Sequence, residues 1–135
     1  MASFTKFQSF IEKLAEKVHN LGSDQLVVAL TNVAPTATDD VLVDLTEVAY
    51  TNISTRNIVT VSSAQTAGTY KLVLTDLVLT ASGSVGPFRY IVIYNDTAGS
   101  DDLVCFFDYG SAITMENGDT FTVDFDAASG VLTLA

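Results

Sequence analysis

The stretch VGPFRYIVIYNDTAGSDDLVCFFDYGSAITMENGDTFTVDFD, residues 85–126, contains three successive strand patterns. Residues 88–94 are apolar at odd and even positions alike, which predicts a strand that is covered on both faces and lies inside a sheet. Residues 103–107 form a second apolar run. In the third, Phe121, Val123 and Phe125 alternate with polar neighbours, so we expect these three side chains to point inward. The stretch therefore predicts the middle of a β-sheet.

The N-terminus carries a different pattern, with apolar residues at helical spacings of three and four. It predicts a helix over residues 4–20, with Ser3 as the N-cap and Gly22 just beyond the C-cap. We interpret the helix as a lid across one sheet face; alternatively, its apolar stripe is a seam with neighbouring subunits. The candidate packing or oligomer contacts are Phe4, Phe7, Ile11, Leu14 and Val18.

The remaining patterns predict short strands at residues 26–30, 58–62 and 131–134 and a longer one at residues 69–80. The apolar phase slips at residues 75–76, which indicates a bulge or a corner between two sheets. Residues 41–50 fit a strand or a helical turn, and we favour the turn. Asn117 and Gly118 predict a two-residue type I′ hairpin.

These elements predict one domain, residues 1–135, comprising the helix and a β region at 26–134. The spacing of the turns predicts an antiparallel β-sandwich or jelly-roll-like fold of seven or eight strands.

The composition is that of an acidic β-protein, because 48% of residues are hydrophobic, 16% are charged and the net charge is −10. Residues 1–20 carry three lysines against two glutamates, so the acidity lies in the rest of the chain. Such a body repels phosphate groups, which disfavours binding to nucleic acid or to an anionic membrane.

Few residues are candidates for chemistry. Cys105 lies in an apolar run and His19 in the predicted helix, so we expect the thiol to be a small buried hydrophobe rather than a nucleophile. The aspartate groups 101–102 and 119, 124 and 126 match no calcium-loop spacing, and a solvated acidic face explains them better than a metal site. We expect no enzyme activity, cofactor or metal. The single cysteine and the N-terminal pattern predict folding in the cytosol.

Several short motifs occur in order along nearly the whole chain: FQSFIEKLAEKVHN (7–20), LGSD (21–24), VALTN (28–32), GPFRY (86–90), YND (94–96), FDYG (107–110), GD (118–119) and FTVDF (121–125). This set resembles a family of small virion structural proteins of tailed bacteriophages. Many relatives carry a longer glycine-rich stretch where this chain has only residues 50–56. The resemblance specifies no binding residue.

The resemblance implies a non-enzymatic decoration or cement protein on the outside of the capsid. Its partners would be the major capsid protein and further copies of itself, and we expect a trimer on the particle. The alternative is a tail or fibre-base protein, with or without a glycan-binding role.

Overall fold

The structure is a computed structural model that describes residues 3–135, and it consists mainly of antiparallel β-strands. One α-helix near the N-terminus and a short 3₁₀ turn at Leu42–Asp44 accompany the strands. In chain order the elements are β1 (Ser3–Lys6), α1 (Gln8–Ala15), β2 (Leu26–Thr31), β3 (Thr60–Thr66), β4 (Thr69–Leu74), β5 (Leu77–Thr80), β6 (Val85–Asn95), β7 (Asp102–Met115), β8 (Thr120–Val123) and β9 (Leu132–Leu134). The predicted mainly β, sandwich-like fold with one helix near the N-terminus is confirmed.

The strands form three antiparallel sheets. A four-stranded sheet has the order β1-β7-β6-β2, a three-stranded sheet has the order β3-β4-β9, and β5 pairs with β8. Strand β6 is therefore interior, as its sequence predicts. Ile91 of β6 pairs with Leu30 of β2 on one side and with Phe107 of β7 on the other. Phe107 pairs in turn with Phe4 of β1.

The central sheet is buried on both faces, which explains why β6 shows no polar alternation. Leu30, Ile91 and Ile93 belong to the main core, which also contains residues of the two smaller sheets. Val92 and Tyr94 point the other way, into a second cluster with Phe7, Leu42 and Leu45. Of residues 41–50, only Leu42–Asp44 form the predicted helical turn, and Leu42 together with Leu45 just after the turn helps to cover this second face.

The slip in apolar phase at residues 75–76 marks a corner between two sheets, as predicted. Strand β4 belongs to the three-stranded sheet, whereas β5 pairs with β8. The Asp76 carboxylate accepts a hydrogen bond from the Phe125 amide at 2.8 Å, which holds the corner against the end of β8. Phe121, Val123 and Phe125 point inward, as the alternation predicts.

The predicted helix at residues 4–20 is wrong in extent. Strand β1 pairs with residues 105–108 of β7, and α1 is only eight residues long. Phe7, not Ser3, is the N-cap residue. The edge of β7 offers backbone partners to residues 3–6, and the ring of Phe4 packs edge-on against Phe107 with ring centroids 5.6 Å apart. Pairing with β7 therefore favours a strand at residues 3–6, because a short helix there would be only marginally stable by itself.

The helix also ends earlier than predicted, at Ala15 rather than near residue 20, and Lys17 takes the position expected for Gly22 just beyond the C-cap. Lys17 has a positive φ of 70°. The Val18 amide donates to the Lys13 carbonyl at 2.8 Å, and the Lys17 amide donates to the Leu14 carbonyl at 3.3 Å. These two bonds form a Schellman motif with a lysine at the left-handed position.

The predicted type I′ hairpin at Asn117 and Gly118 is also wrong. Gly118 has a φ of 90°, but Asn117 is not among the residues with positive φ, whereas a type I′ turn requires both. The Asp119 amide donates to the Glu116 carbonyl at 2.9 Å, and a left-handed glycine at the third position is typical of a type II turn. The turn joins different sheets, because β7 ends against Val85 while β8 pairs with β5.

Candidate functional site

The five predicted contact residues do not form one face. Phe7 is completely buried in the second cluster, and Leu14 is half-buried against the main core. Phe4, Ile11 and Val18 remain 44%, 43% and 38% exposed. A single apolar lid is therefore the wrong description, because the chain changes from strand to helix between Phe4 and Phe7. The role of these residues in oligomer contacts stays a prediction.

The acidic residues are largely occupied by structural hydrogen bonds. Asp119 accepts from the Glu116 amide at 2.8 Å, and Asp126 accepts from the Ala128 amide at 3.0 Å, so each carboxylate fixes its own turn. Asp102 is buried and forms an ion pair. Within residues 3–135, no three histidine, cysteine, aspartate or glutamate side chains come together in a way that could hold a metal ion.

A cluster of three charges ties α1 to the loops beside the central sheet. The Lys13 ammonium group contacts Asp40 at 2.5 Å and also Asp102, which is 5% exposed. Desolvation lowers the pKa of Lys13, but hydrogen bonds and charge from the two aspartates outweigh it and raise the pKa overall. The hydrogen bond from Lys13 lowers the pKa of Asp40. This cluster positions the helix and leaves no free base or acid at its centre.

Cys105 is buried, as predicted, and burial raises the pKa of its thiol. It contributes a small apolar side chain to the main core. Such a thiol is mostly protonated at neutral pH and inaccessible to a substrate.

His19 is buried against Phe10, with ring centroids 5.1 Å apart. The Asn95 Oδ1 atom accepts from the Thr97 and Ala98 amides, so its Nδ2 group faces the histidine and donates to Nδ1 at 3.0 Å. The imidazole proton must then lie on Nε2, which has no partner among the described residues. Burial lowers the pKa of His19. We interpret the ring as a neutral packing group.

A shallow depression of about 490 Å³ lies beside the end of α1. Its polar lining includes His19 and the Ser63 and Tyr70 hydroxyls, which are hydrogen-bonded to each other at 2.8 Å. The depression is small and open to solvent, and its hydroxyls are already paired.

A deeper concavity of about 720 Å³ opens between the central sheet and β8, and we call it the aromatic groove. Phe4 and Phe107 line it from the central sheet, and Phe121 lines it from β8. Tyr109 packs edge-on against Phe121 with centroids 5.3 Å apart and is 47% exposed. The groove thus presents aromatic faces to solvent rather than a set of paired acids and bases.

The row of residues across the central sheet explains why the groove exists. Leu30, Ile91, Phe107 and Phe4 lie side by side on the inner face of the four neighbouring strands. Leu30 is completely buried, whereas Phe4 at the other end is almost half exposed. The smaller sheets therefore cover the row at β2 and leave it open at β1.

The rim of the aromatic groove is acidic. Asp76, Asp124 and Asp126 line it, and no lysine or arginine does so among the residues that the structure describes. The sequence predicts a solvated acidic face that includes Asp124 and Asp126, but it does not bring them together with Asp76 or Phe4, because the helical pattern assigns Phe4 to a helix. Two residues could have indicated the groove from the sequence: Phe4 near the N-terminus, and Tyr109, which follows the buried part of β7.

The only α-helix in residues 3–135 has eight residues, too few to span the apolar core of a bilayer. Comparisons of the chain with protein-family models, with curated proteins and with solved structures give no match.

Proposed function

We propose that this protein is a non-enzymatic structural component of a tailed-bacteriophage virion that decorates and stabilises the outside of the capsid. The proposal starts from the resemblance of the motifs in residues 7–125 to small virion proteins. It places the protein at the capsid exterior, with the major capsid protein as its partner, after synthesis in the host cytoplasm.

The observation that carries the proposal most directly is the aromatic groove. Its exposed Phe4 and Tyr109 rings offer apolar surface for a stable contact, and large exposed apolar patches on a small protein commonly mark interaction sites. The groove's side chains suit packing against another protein better than proton transfer.

The ion pairs formed by lysine and arginine side chains also support a structural rather than a catalytic role. Lys13 is held between Asp40 and Asp102, and Arg89 forms a bidentate pair with Asp108 at 2.8 and 3.0 Å. Groups fixed in this way rigidify the surface, as a lattice component requires, whereas catalysis depends on a group that is free to exchange protons or to attack a substrate.

We further propose that the protein forms a homo-oligomer on the particle, a trimer around a local symmetry axis. Four exposed apolar residues are available for this contact: Ile11 on α1, Val18 after it, Val59 just before the edge strand β3, and Val61 within β3. A particle reconstruction should show mutual contacts through these residues. Isolated single copies would contradict the oligomer.

The location on the particle can be tested by counting. A decoration protein repeats with the lattice, so quantitative mass spectrometry of purified virions should give a copy number comparable to that of the major capsid protein. The alternative, a tail or fibre-base protein, would be present in only a few rings. A copy number that matches tail components would reject the capsid assignment.

A further inference from the structure

We propose that the aromatic groove binds an extended segment of a different protein, which adds a strand between β1 and β8. The segment would have apolar side chains at every second position and lysine or arginine near its ends. This inference concerns the kind of partner and does not depend on where the protein sits in a particle.

Phe4, which lines the groove, belongs to a strand that forms an open edge of the central sheet. Strand β1 is the last strand on its side, and no backbone bond to its outer edge occurs among the described residues. The opposite edge, β2, is covered by backbone hydrogen bonds involving Val48, Arg56 and Ile58. The fold therefore protects one outer edge of this sheet and leaves the other available for pairing.

Strand β8 also faces the groove with its edge. Residues 121–123 of the strand line the groove without interruption, and residues 124–127 continue the lining beyond it. Because successive side chains of a strand point to opposite faces, a concavity lined by consecutive residues of β8 runs along the strand's edge. The partner of β8 on its other side is β5. Two strand edges thus border one groove, and an added strand could pair with either.

The floor of the groove suits a bound strand with an apolar side chain at every second position. Phe4, Phe107 and Phe121 contribute aromatic surface, and Val123 and Val131 extend it. An added strand would direct every second side chain onto this floor and the others toward solvent.

The rim of the groove is negatively charged. Asp124 is exposed at the rim, and Asp76 and Asp126 each use Oδ1 to accept a backbone amide. Hydrogen bonds from Ser129 lower the pKa of Asp126, so it remains ionised at neutral pH. Three carboxylates around an apolar floor complement lysine or arginine residues that flank an apolar core.

A second copy of this chain fits the groove less well. The strands of the described region already pair within the fold, and the chain carries only six lysines and arginines against sixteen aspartates and glutamates. Like charges would meet at the rim if another acidic body approached it. The charge therefore favours a different, basic partner segment.

The test uses the full chain and a displayed library of random ten-residue peptides. Peptides are selected on the wild-type protein after depletion on the double variant Phe4→Glu/Asp124→Lys. We expect enriched peptides to alternate apolar and polar residues and to carry lysine or arginine. In NMR spectra, a synthesised peptide should shift amide signals of β1 and β8, and methylation of its backbone nitrogens should weaken binding about tenfold or more.

Single variants identify the contacts. Phe4→Glu should weaken binding of the selected peptide about tenfold, and Asp124→Lys about threefold to tenfold. Tyr109→Glu replaces an exposed side chain and serves as a second groove variant if Phe4→Glu does not fold. The matched controls are Val43→Glu, at a residue 87% exposed on the 3₁₀ turn, and Asp96→Lys, at an exposed position away from the groove lining. Both should leave binding within about twofold of wild type.

Three results would overturn the inference. One is selection without enrichment of alternating basic peptides, and another is equal binding to groove and control variants. The third is a wild-type dimer in sedimentation that Phe4→Glu dissociates, which would make the groove a self-interface. Because these measurements use the isolated protein, they are independent of the copy number that tests the capsid assignment.

Discussion

At the scale of single residues, two glycines with similar backbone angles have different surroundings. Gly118 has a φ of +90° with open space where a Cβ would lie. Gly130 has a φ of +78°, but a Cβ there would lie 2.8 Å from the Leu72 carbonyl oxygen and 2.5 Å from Lys71 Cγ. The lysine side chain can move, whereas the carbonyl belongs to the backbone of β4.

Substitution of these glycines should therefore separate conformational strain from steric overlap. We expect Gly118→Ala to lower the free energy of unfolding by about 1–2 kcal/mol, the cost of a left-handed residue with a Cβ. Gly130→Ala should cost about 1–3 kcal/mol more, because the added methyl group overlaps the backbone. Urea denaturation of the two variants measures both values, and equal losses would contradict the packing around Gly130.

At Lys17 the opposite substitution, of a left-handed lysine by glycine, can be tested. It has a φ of 70° at the end of α1, where glycine is normally preferred. Lys17→Gly should raise the free energy of unfolding by roughly 1 kcal/mol, because it removes the left-handed strain while keeping both Schellman bonds. Lys17→Ala is the control and should bring no such gain. Thermal denaturation that ranks alanine above glycine would reject this description of the helix end.

At the scale of elements, the N-terminal segment shows why the sequence predicted some features and not others. The doubly apolar pattern of residues 88–94 depends on burial of both sheet faces, so it identified β6 correctly. The helical spacing of Phe4 and Phe7 is equally regular, but Phe4 belongs to a strand that pairs with residues about one hundred positions away. No local pattern reports such a partner, and the aromatic groove went unpredicted for the same reason.

The turn at residues 116–119 illustrates the same limit. Asparagine followed by glycine correctly indicates a reversal with a left-handed residue. Whether the next strand returns to its predecessor or crosses to another sheet depends on Ala81, whose carbonyl accepts the Gly118 amide at 2.8 Å. The corner at residues 75–76 was predictable because the change of sheet also shifts the apolar phase within the sequence.

The strand-to-helix junction leads to a stability prediction. Phe7 is completely buried and packs against Phe106 with centroids 5.2 Å apart, whereas Ile11 is 43% exposed one helical turn later. Phe7→Ala should lower the free energy of unfolding by about 3–5 kcal/mol. Ile11→Ala serves as the control and should cost less than about 1 kcal/mol. Similar losses in denaturant unfolding would indicate that the helix packs through the stripe first inferred from the sequence.

At the scale of the whole molecule, stability against acid should fall in two stages. Burial, countered in part by Asp102, lowers the pKa of His19 below its ordinary value of about 6.5, so the unfolded chain takes up this proton first. Stability should therefore decrease as the pH falls from about 6.5 toward the lowered pKa. Hydrogen bonds from Lys13 and Arg89 lower the pKa values of Asp40 and Asp108, and that stabilisation is lost only as the pH falls below about 4.

His19→Gln separates the two stages. Glutamine is neutral at every pH and can offer its Oε1 atom to Asn95, which now donates to the histidine. Unfolding free energies of the variant should be nearly constant between pH 7 and 5, where those of the wild type decline, and both proteins should lose stability below about pH 4. If the unfolding free energy of the variant still declines above pH 5, a group other than His19 takes up the proton, and the buried, neutral histidine is not the cause of the first stage.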